Sequence, residues 1–300
     1  MTAYKSPTPS PPERNAELAS NRSPLRLAAA QFFRHRLAVA GVVLIALLVL
    51  SAVFAPYLTP YEPTKLNLQS KLTPPSWQFP LGTDHFGRDV LTRMLYGARI
   101  SLLVGLGVVV IAAGIGTPLG VISGFFGGTL DNTIMRMMDA LLTFPPLLLA
   151  VAIMGTLGAD TQNVILAVGL VYIPVFARLA RGNTLSLRES TYVSASVALG
   201  APNWRIIVLD ILPNIIGVLV VLVTVTFSKA VILEASLSFL GLGVQPPTAS
   251  WGRDLNEARR YIEDAWWLAA FPTFMIAASV LNMNFIGDGL RDALDPRTNQ

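Results

Sequence analysis

The chain has 300 residues, of which 53% are hydrophobic and only 13% charged, and its mean hydropathy is +0.56. Soluble domains carry roughly 25% charged residues, so this composition excludes a soluble globule. The modest net charge of +4 speaks of membrane orientation rather than nucleic acid, and the lack of cysteine excludes disulfide and thiol chemistry.

Residues 1–36 are rich in Pro, Ser, Asn and Arg, with Pro7, Pro9, Pro11 and Pro12 near the start. That composition predicts a disordered cytoplasmic tail. The apolar run that follows is too late and too long for a signal-peptide core, so the first helix is expected to stay as an anchor. A spanning helix needs about 20 mostly apolar residues. Runs free of Asp, Glu, Lys and Arg lie at 37–61, 101–130, 140–159, 161–177, 211–228 and 265–287. The sequence therefore predicts an all-α integral membrane protein with six transmembrane helices and no sizeable soluble domain.

Between the first two runs lies a polar, Pro-rich segment, about 58–99. The second run carries Gly116-x-x-x-Gly120-x-x-x-Gly124. Small residues every four positions let helix backbones approach closely, either as plain packing or as a gap that opens and closes. Near the third run, Arg136 and Asp139 are spaced for an i, i+3 pair. Pro145-Pro146 and Pro174 predict kinks in the third and fourth spans.

Between the fourth and fifth runs, the loop 190–214 is patterned. Tyr192, Ala195, Ser196 and Leu199 fall on one stripe of a short helix. Gly200 is placed for a left-handed cap, Pro202 stops continuation, and Asn203 is expected to cap a second helix before Leu212-Pro213. A folded loop in a membrane protein presents a docking surface. Lys229 and Glu234 then lie inside or near the end of the fifth span, about 140° apart on a helix. They suit either helix-to-helix bonding near the interface or the lining of a translocation path or gate. A second polar segment, about 241–264, precedes Trp266-Trp267, an aromatic pair suited to the interface.

With the N-terminus inside, the inner segments carry thirteen Lys and Arg and the outer ones eight. The bias predicts an N-in, C-in topology, with the patterned loop in the cytoplasm and 58–99 and 241–264 outside. There is no G-x-x-x-x-G-K-[ST], H-E-x-x-H or G-x-S-x-G motif, and His35 and His85 are isolated in sequence. No cofactor or metal is expected on this chain, and an energy source must come from elsewhere.

Gly200 and Leu212-Pro213 match in spacing the "EAA" loop of ABC-importer permeases, although Ser194-Ala195-Ser196 departs from Glu-Ala-Ala and Asp210 from Ile. Leu81-Gly-Thr-Asp84-His-Phe-Gly87-Arg88-Asp89, Tyr96-Gly-Ala-Arg99, Ile134-Met-Arg136-Met-Met-Asp139, Leu237-Ser-Phe-Leu-Gly-Leu-Gly243, Trp251-Gly252 and Gly287-Asp-Gly-Leu-Arg291-Asp292 extend the match. Together the chain resembles the C-type permease subunit of the dipeptide/oligopeptide/nickel importer family. The resemblance implies a permease domain over about 37–297 in the bacterial cytoplasmic membrane. It implies a paralogous permease subunit, two ATPase subunits or domains using ATP-Mg, an extracytoplasmic substrate-binding protein and a peptide substrate. Glutathione and nickel importers share these segments. It also makes the helix before Gly200 the ATPase-coupling helix, in a chain that is not itself an enzyme. A stand-alone channel or secondary transporter is the alternative from another class.

Overall fold

The computed structural model describes residues 24–294, which are helical apart from loops and one isolated bridge, Thr83–Asp89. Of the expected tail, residues 1–23 lie outside the described part, as do 295–297 of the expected permease domain. Within the tail, α1 (Pro24–Arg34) is a helix with proline at its first position. His35 then starts α2 (Arg36–Val53), its Nδ1 accepting the Ala38 amide at 3.1 Å.

Pro56 ends this first span. Its ring clashes with the carbonyl four residues back, so the chain breaks at Phe54 into the short α3 (Ala55–Leu58). The guanidinium of Arg99 takes up the carbonyls left at that end, donating to Ala52 O at 2.5 Å and Val53 O at 2.9 Å. Arg99 comes from α4 (Val90–Phe126), which Asp89 caps by accepting the Thr92 amide at 2.7 Å. Residues 90–99, assigned to the outer segment by their charges, are thus the first turns of a 37-residue helix, roughly 55 Å long.

The third apolar run is not one straight span. α5 (Gly128–Leu142) and α6 (Pro146–Leu157) meet at 92°, because Pro145 and Pro146 deny the chain two amide donors at the joint. Among the described residues, five helices are long and apolar enough to cross a membrane, and the bent pair makes a sixth crossing if it counts as one. α7 (Thr161–Arg188) runs through Pro174 without a break. The loop then forms α8 (Thr191–Ala198) and α9 (Asn203–Arg205). This second helix does not end before Pro213. A π-helical stretch, Ile206–Ile211, carries α9 directly into α10 (Leu212–Phe239). The wider turn absorbs the proline, whose ring cannot follow a tight α-turn. The second polar segment folds into α11 (Trp251–Ala258), and α12 (Trp267–Leu294) closes the chain.

α4 and α7 touch backbone to backbone. A Cβ on Gly116 would lie 2.5 Å from Ile173 O, one on Gly120 2.2 Å from Ala177 O, and one on Gly124 2.8 Å from Arg181 O. The small-residue repeat is an intrachain seam, and the main core of Val104, Val108, Ala112, Val168 and Phe176 builds on it. Asp139 does not pair with Arg136. It reaches across to Arg178 on α7 at 2.5 Å, while Asp131 takes Arg181 bidentately at 2.5 and 2.6 Å. Two ion pairs thus fasten α5 to α7.

Gly120→Val should destabilise the chain by at least about 1–3 kcal/mol, the usual cost of overpacking, and lower its thermal midpoint in detergent. Gly114→Ala on the open face of the same helix, with nothing within 4 Å of its Cβ, should not. Equal midpoints for the two variants would discount the seam.

Candidate functional site

Two polar constructions lie at opposite ends of α4. At its C-terminal end, Phe125 and Phe126 share a cavity of about 420 Å³ with Arg188, Ser194, Val197 and Asn203 of the patterned loop. α8 is exposed over most of its surface, and the positions read as a stripe from the sequence share that exposure. Tyr192, Ala195 and Leu199 are exposed, Leu199 at 88%, and Ser196 is half-buried. Val193, the buried residue of α8, joins the core cluster and holds the helix to it. The Tyr192 hydroxyl donates to Asp210 O at 3.4 Å and so ties α8 to the π-helical stretch.

Gly200 has φ +75°, as its capping role requires. Its amide donates to Val197 O at 3.0 Å, and the Ala201 amide donates to Ser196 O at 3.1 Å, a Schellman pair. The expected cap at Asn203 is displaced by one residue. Pro202 is the N-cap and Asn203 is the first helical residue. Leu212 packs against the core, while Pro213 is exposed. A cavity of about 330 Å³ opens between Leu199, Gly200, Pro202, Arg205 and Leu209. Sequence patterning missed Trp204, which is 66% exposed on α9; an aromatic in the polar loop was the available signal.

At the N-terminal end of α4, the two polar segments interlock. Arg88 Nε donates to Asp84 Oδ2 at 2.5 Å, and its Nη2 to Glu257 Oε2 at 2.7 Å. Arg93 Nε donates to Asp254 Oδ1 at 3.0 Å, and its Nη1 to Pro63 O at 3.2 Å. The indole of Trp251, fully buried, donates to Met94 O at 3.0 Å, and that of Trp267 to Thr83 O at 3.2 Å. Arg253 adds a partner at the rim, 3.2 Å from Glu257 Oε1. Burial pushes the carboxyls of Asp254 and Asp89 up; for Asp254 the Arg93 guanidinium opposes the shift, and for Asp89 the Thr92 hydrogen bonds do. Burial also holds His85 below its ordinary value, against the pull of Asp84 and Glu257, which keeps its imidazole neutral near pH 7. Of the motif 81–89, Thr83, Asp84 and Arg88 serve this clamp, while Asp89 caps α4.

Lys229 and Glu234 are not brought together. Lys229 is exposed and, among the described residues, has no hydrogen-bond partner. Glu234 is fully buried and accepts from Ser238 Oγ at 2.8 Å and Ser101 Oγ at 3.3 Å, bridging α10 to α4.

Arg93→Met should cost about 3–5 kcal/mol, because it strands the buried Asp254 charge. Adding Asp254→Leu should recover most of that loss. Thermal unfolding of the two variants in detergent decides, and an additive double variant would deny the pairing.

Comparisons with known proteins agree on a family. Residues 116–300 match the model described as "Binding-protein-dependent transport system inner membrane component", and residues 23–75 match "N-terminal TM domain of oligopeptide transport permease C". The dipeptide transport system permease protein DppC of Alkalihalophilus pseudofirmus is 44% identical over 92% of this chain and 90% of its own length. The di/tripeptide transport system permease protein DppC of Pseudomonas aeruginosa is 44% identical over 92% and 93%. The glutathione transport system permease protein GsiD of Pectobacterium atrosepticum is 43% identical over 93% of both. Among solved structures, a chain of the MetNI methionine ABC transporter in inward-facing form superimposes with a TM-score of 0.57 at 20% identity. It covers 68% of this chain and 96% of that one, a likeness of fold.

Proposed function

This chain belongs to the binding-protein-dependent transport system inner membrane components, as a multi-pass permease subunit of an ABC importer, and we propose that it translocates dipeptides or oligopeptides. The printed activities of its dipeptide and di/tripeptide relatives support that substrate class. A glutathione relative at 43% identity supports a second reading, glutathione itself a short peptide. Family membership sets aside the stand-alone channel and secondary transporter.

In this reading the chain pairs with a paralogous permease subunit, and two ATPase subunits or domains bind and hydrolyse ATP-Mg. An extracytoplasmic binding protein delivers the peptide to the clamp end. The single observation that carries the coupling assignment is the exposure of Tyr192, Ala195 and Leu199 on α8, with Ser196 half-buried beside them and the helix closed by the Gly200 cap. The helix seats on an ATPase from the cytoplasm, consistent with the N-in, C-in charge bias. Leu212 and Pro213 then pass its movement into α10 through the π-helical stretch. Swinging a conformational equilibrium from 1:99 to 99:1 takes about 5.5 kcal/mol, which ATP binding by the partners supplies. On α10, Lys229 is exposed and placed to meet substrate or the partner permease, whereas Glu234 acts by holding α10 to α4.

Uptake assays with dipeptides, longer peptides and glutathione in a strain lacking the native permease test the substrate class. Uptake of none of them would sink it. Leu199→Asp, at an exposed position, should reduce co-purification of the ATPase at least about tenfold while leaving the chain's thermal midpoint unchanged. Gly200→Val should lower transport while membrane insertion persists, because a β-branched residue resists φ +75°. Normal coupling in both variants would refute the assignment.

A further inference from the structure

We propose that the groove between α10 and α12 is where this chain receives a short peptide, with Lys229 holding the peptide's free carboxylate. This deepens the peptide reading above and rests on it. The groove is a cavity of about 520 Å³, within the range of about 300–1,000 Å³ usual for small-ligand sites. Ile232, Ala235 and Phe239 of α10 and Ile276, Ala277 and Val280 of α12 line it. Leu255 of α11, the residue after Asp254, lines it too and so brings the groove up to the clamp. Lys229 lies on the same face of α10. Ile232 and Ser236 follow it by three and seven residues, about 60° and 20° away around the helix. Its neighbour Ser228 donates to Val280 O at 3.3 Å, which puts Lys229 level with a lining residue.

The charge decides the occupant. α10 ends at Phe239, ten residues on, so Lys229 is about 15 Å inside the helix end. An ammonium at that depth is costly against lipid and is kept where it meets water or a counter-charge. Lys229 is exposed and, among the described residues, has no hydrogen-bond or ion-pair partner. The next acid along α10, Glu234, is fully buried and held by Ser238 and Ser101. The counter-charge therefore comes from outside the chain. Two hydroxyls break the apolar walls. Ser236 donates to Ile232 O at 2.8 Å and Thr273 to Ala269 O at 2.7 Å, which leaves their oxygen lone pairs free to accept. Ser236 stands about 10.5 Å from Lys229 along the axis. An extended di- or tripeptide spans about 7–10 Å. The spacing fits a carboxylate on Lys229 and a terminal ammonium at the hydroxyls, with the peptide's side chains on the apolar walls. A lipid acyl chain would fill the groove but leave Lys229 unmatched.

The test uses the assembled importer in a strain lacking the native permease, with leucyl-leucine as the probe. Lys229→Met should lower uptake at saturating peptide at least about tenfold, and Lys229→Arg should restore most of it. Ala277→Phe, which fills the groove from an exposed position, should lower uptake as well. All three should leave the chain's thermal midpoint and the co-purification of the second permease unchanged. A leucyl-leucine analogue with a diazirine side chain, illuminated during uptake, should label residues 273–280. A wild-type importer that takes up no short peptide would sink the peptide reading and this inference with it. Wild-type uptake that Lys229→Met does not diminish would overturn this inference alone. Loss of the second permease from Lys229→Met would assign the cation to a subunit contact, and labelling confined to other helices would leave the groove to lipid; either outcome overturns the proposal.

Discussion

The glycine seam between α4 and α7 is the constraint on which the other elements depend. In lipid there is no hydrophobic drive to bring two apolar helices together; close packing must supply the attraction. Gly116, Gly120 and Gly124 remove the side chains that would keep the backbones apart, and Ile173, Ala177 and Arg181 carbonyls fill the space. Once α4 is fixed there, everything at its ends is placed. Its cap, Asp89, and Arg93 enter the clamp; Ser101 meets Glu234 of α10; Ser123 meets Asp131 of α5.

The molecule is stiff along that axis and articulated beside it. The clamp, the seam and the ion pairs of Asp131 and Asp139 bind α4, α5, α7 and α11 through buried or paired groups. The 92° joint at Thr143–Pro145 and the π-helical stretch before Pro213 interrupt regular hydrogen bonding. Irregular turns of this kind absorb changes in backbone angle at lower cost than a continuous helix. The proposed coupling surface sits directly on one of them, since Tyr192 bonds to Asp210 within the π-helical stretch. A push on α8 therefore reaches α10 without first breaking the seam.

Charge has opposite meanings at the two ends. In the clamp the guanidiniums of Arg88 and Arg93 are nearly inaccessible and hold separate chain segments together. At the loop end Arg205 and Leu199 stand exposed around an open cavity, and Trp204 is exposed on the same short helix as Arg205. The first arrangement resists change; the second is free to meet a partner.

The sequence by itself determined the membrane class, the approximate places of the apolar helices, and the short helix of the loop with its glycine cap. Each is a local property: apolar length, a 3.6-residue period, a glycine that alone tolerates positive φ. Tertiary structure decided the rest. Charge-free runs mark where lipid contact is cheap, not where a helix ends, so α4 begins eleven residues before its run and α10 ends eleven after. Arg93 and Glu234 enter helices because partners distant in sequence, Asp254 and Ser101, satisfy them. Asp139 chose Arg178 over the nearer Arg136 because the seam brings α7 within reach of α5. His85 looked isolated for the same reason: its neighbours Glu257 and Tyr261 arrive from the other end of the chain. Long-range pairing of this kind has no period and no spacing, so only the packed fold reveals it.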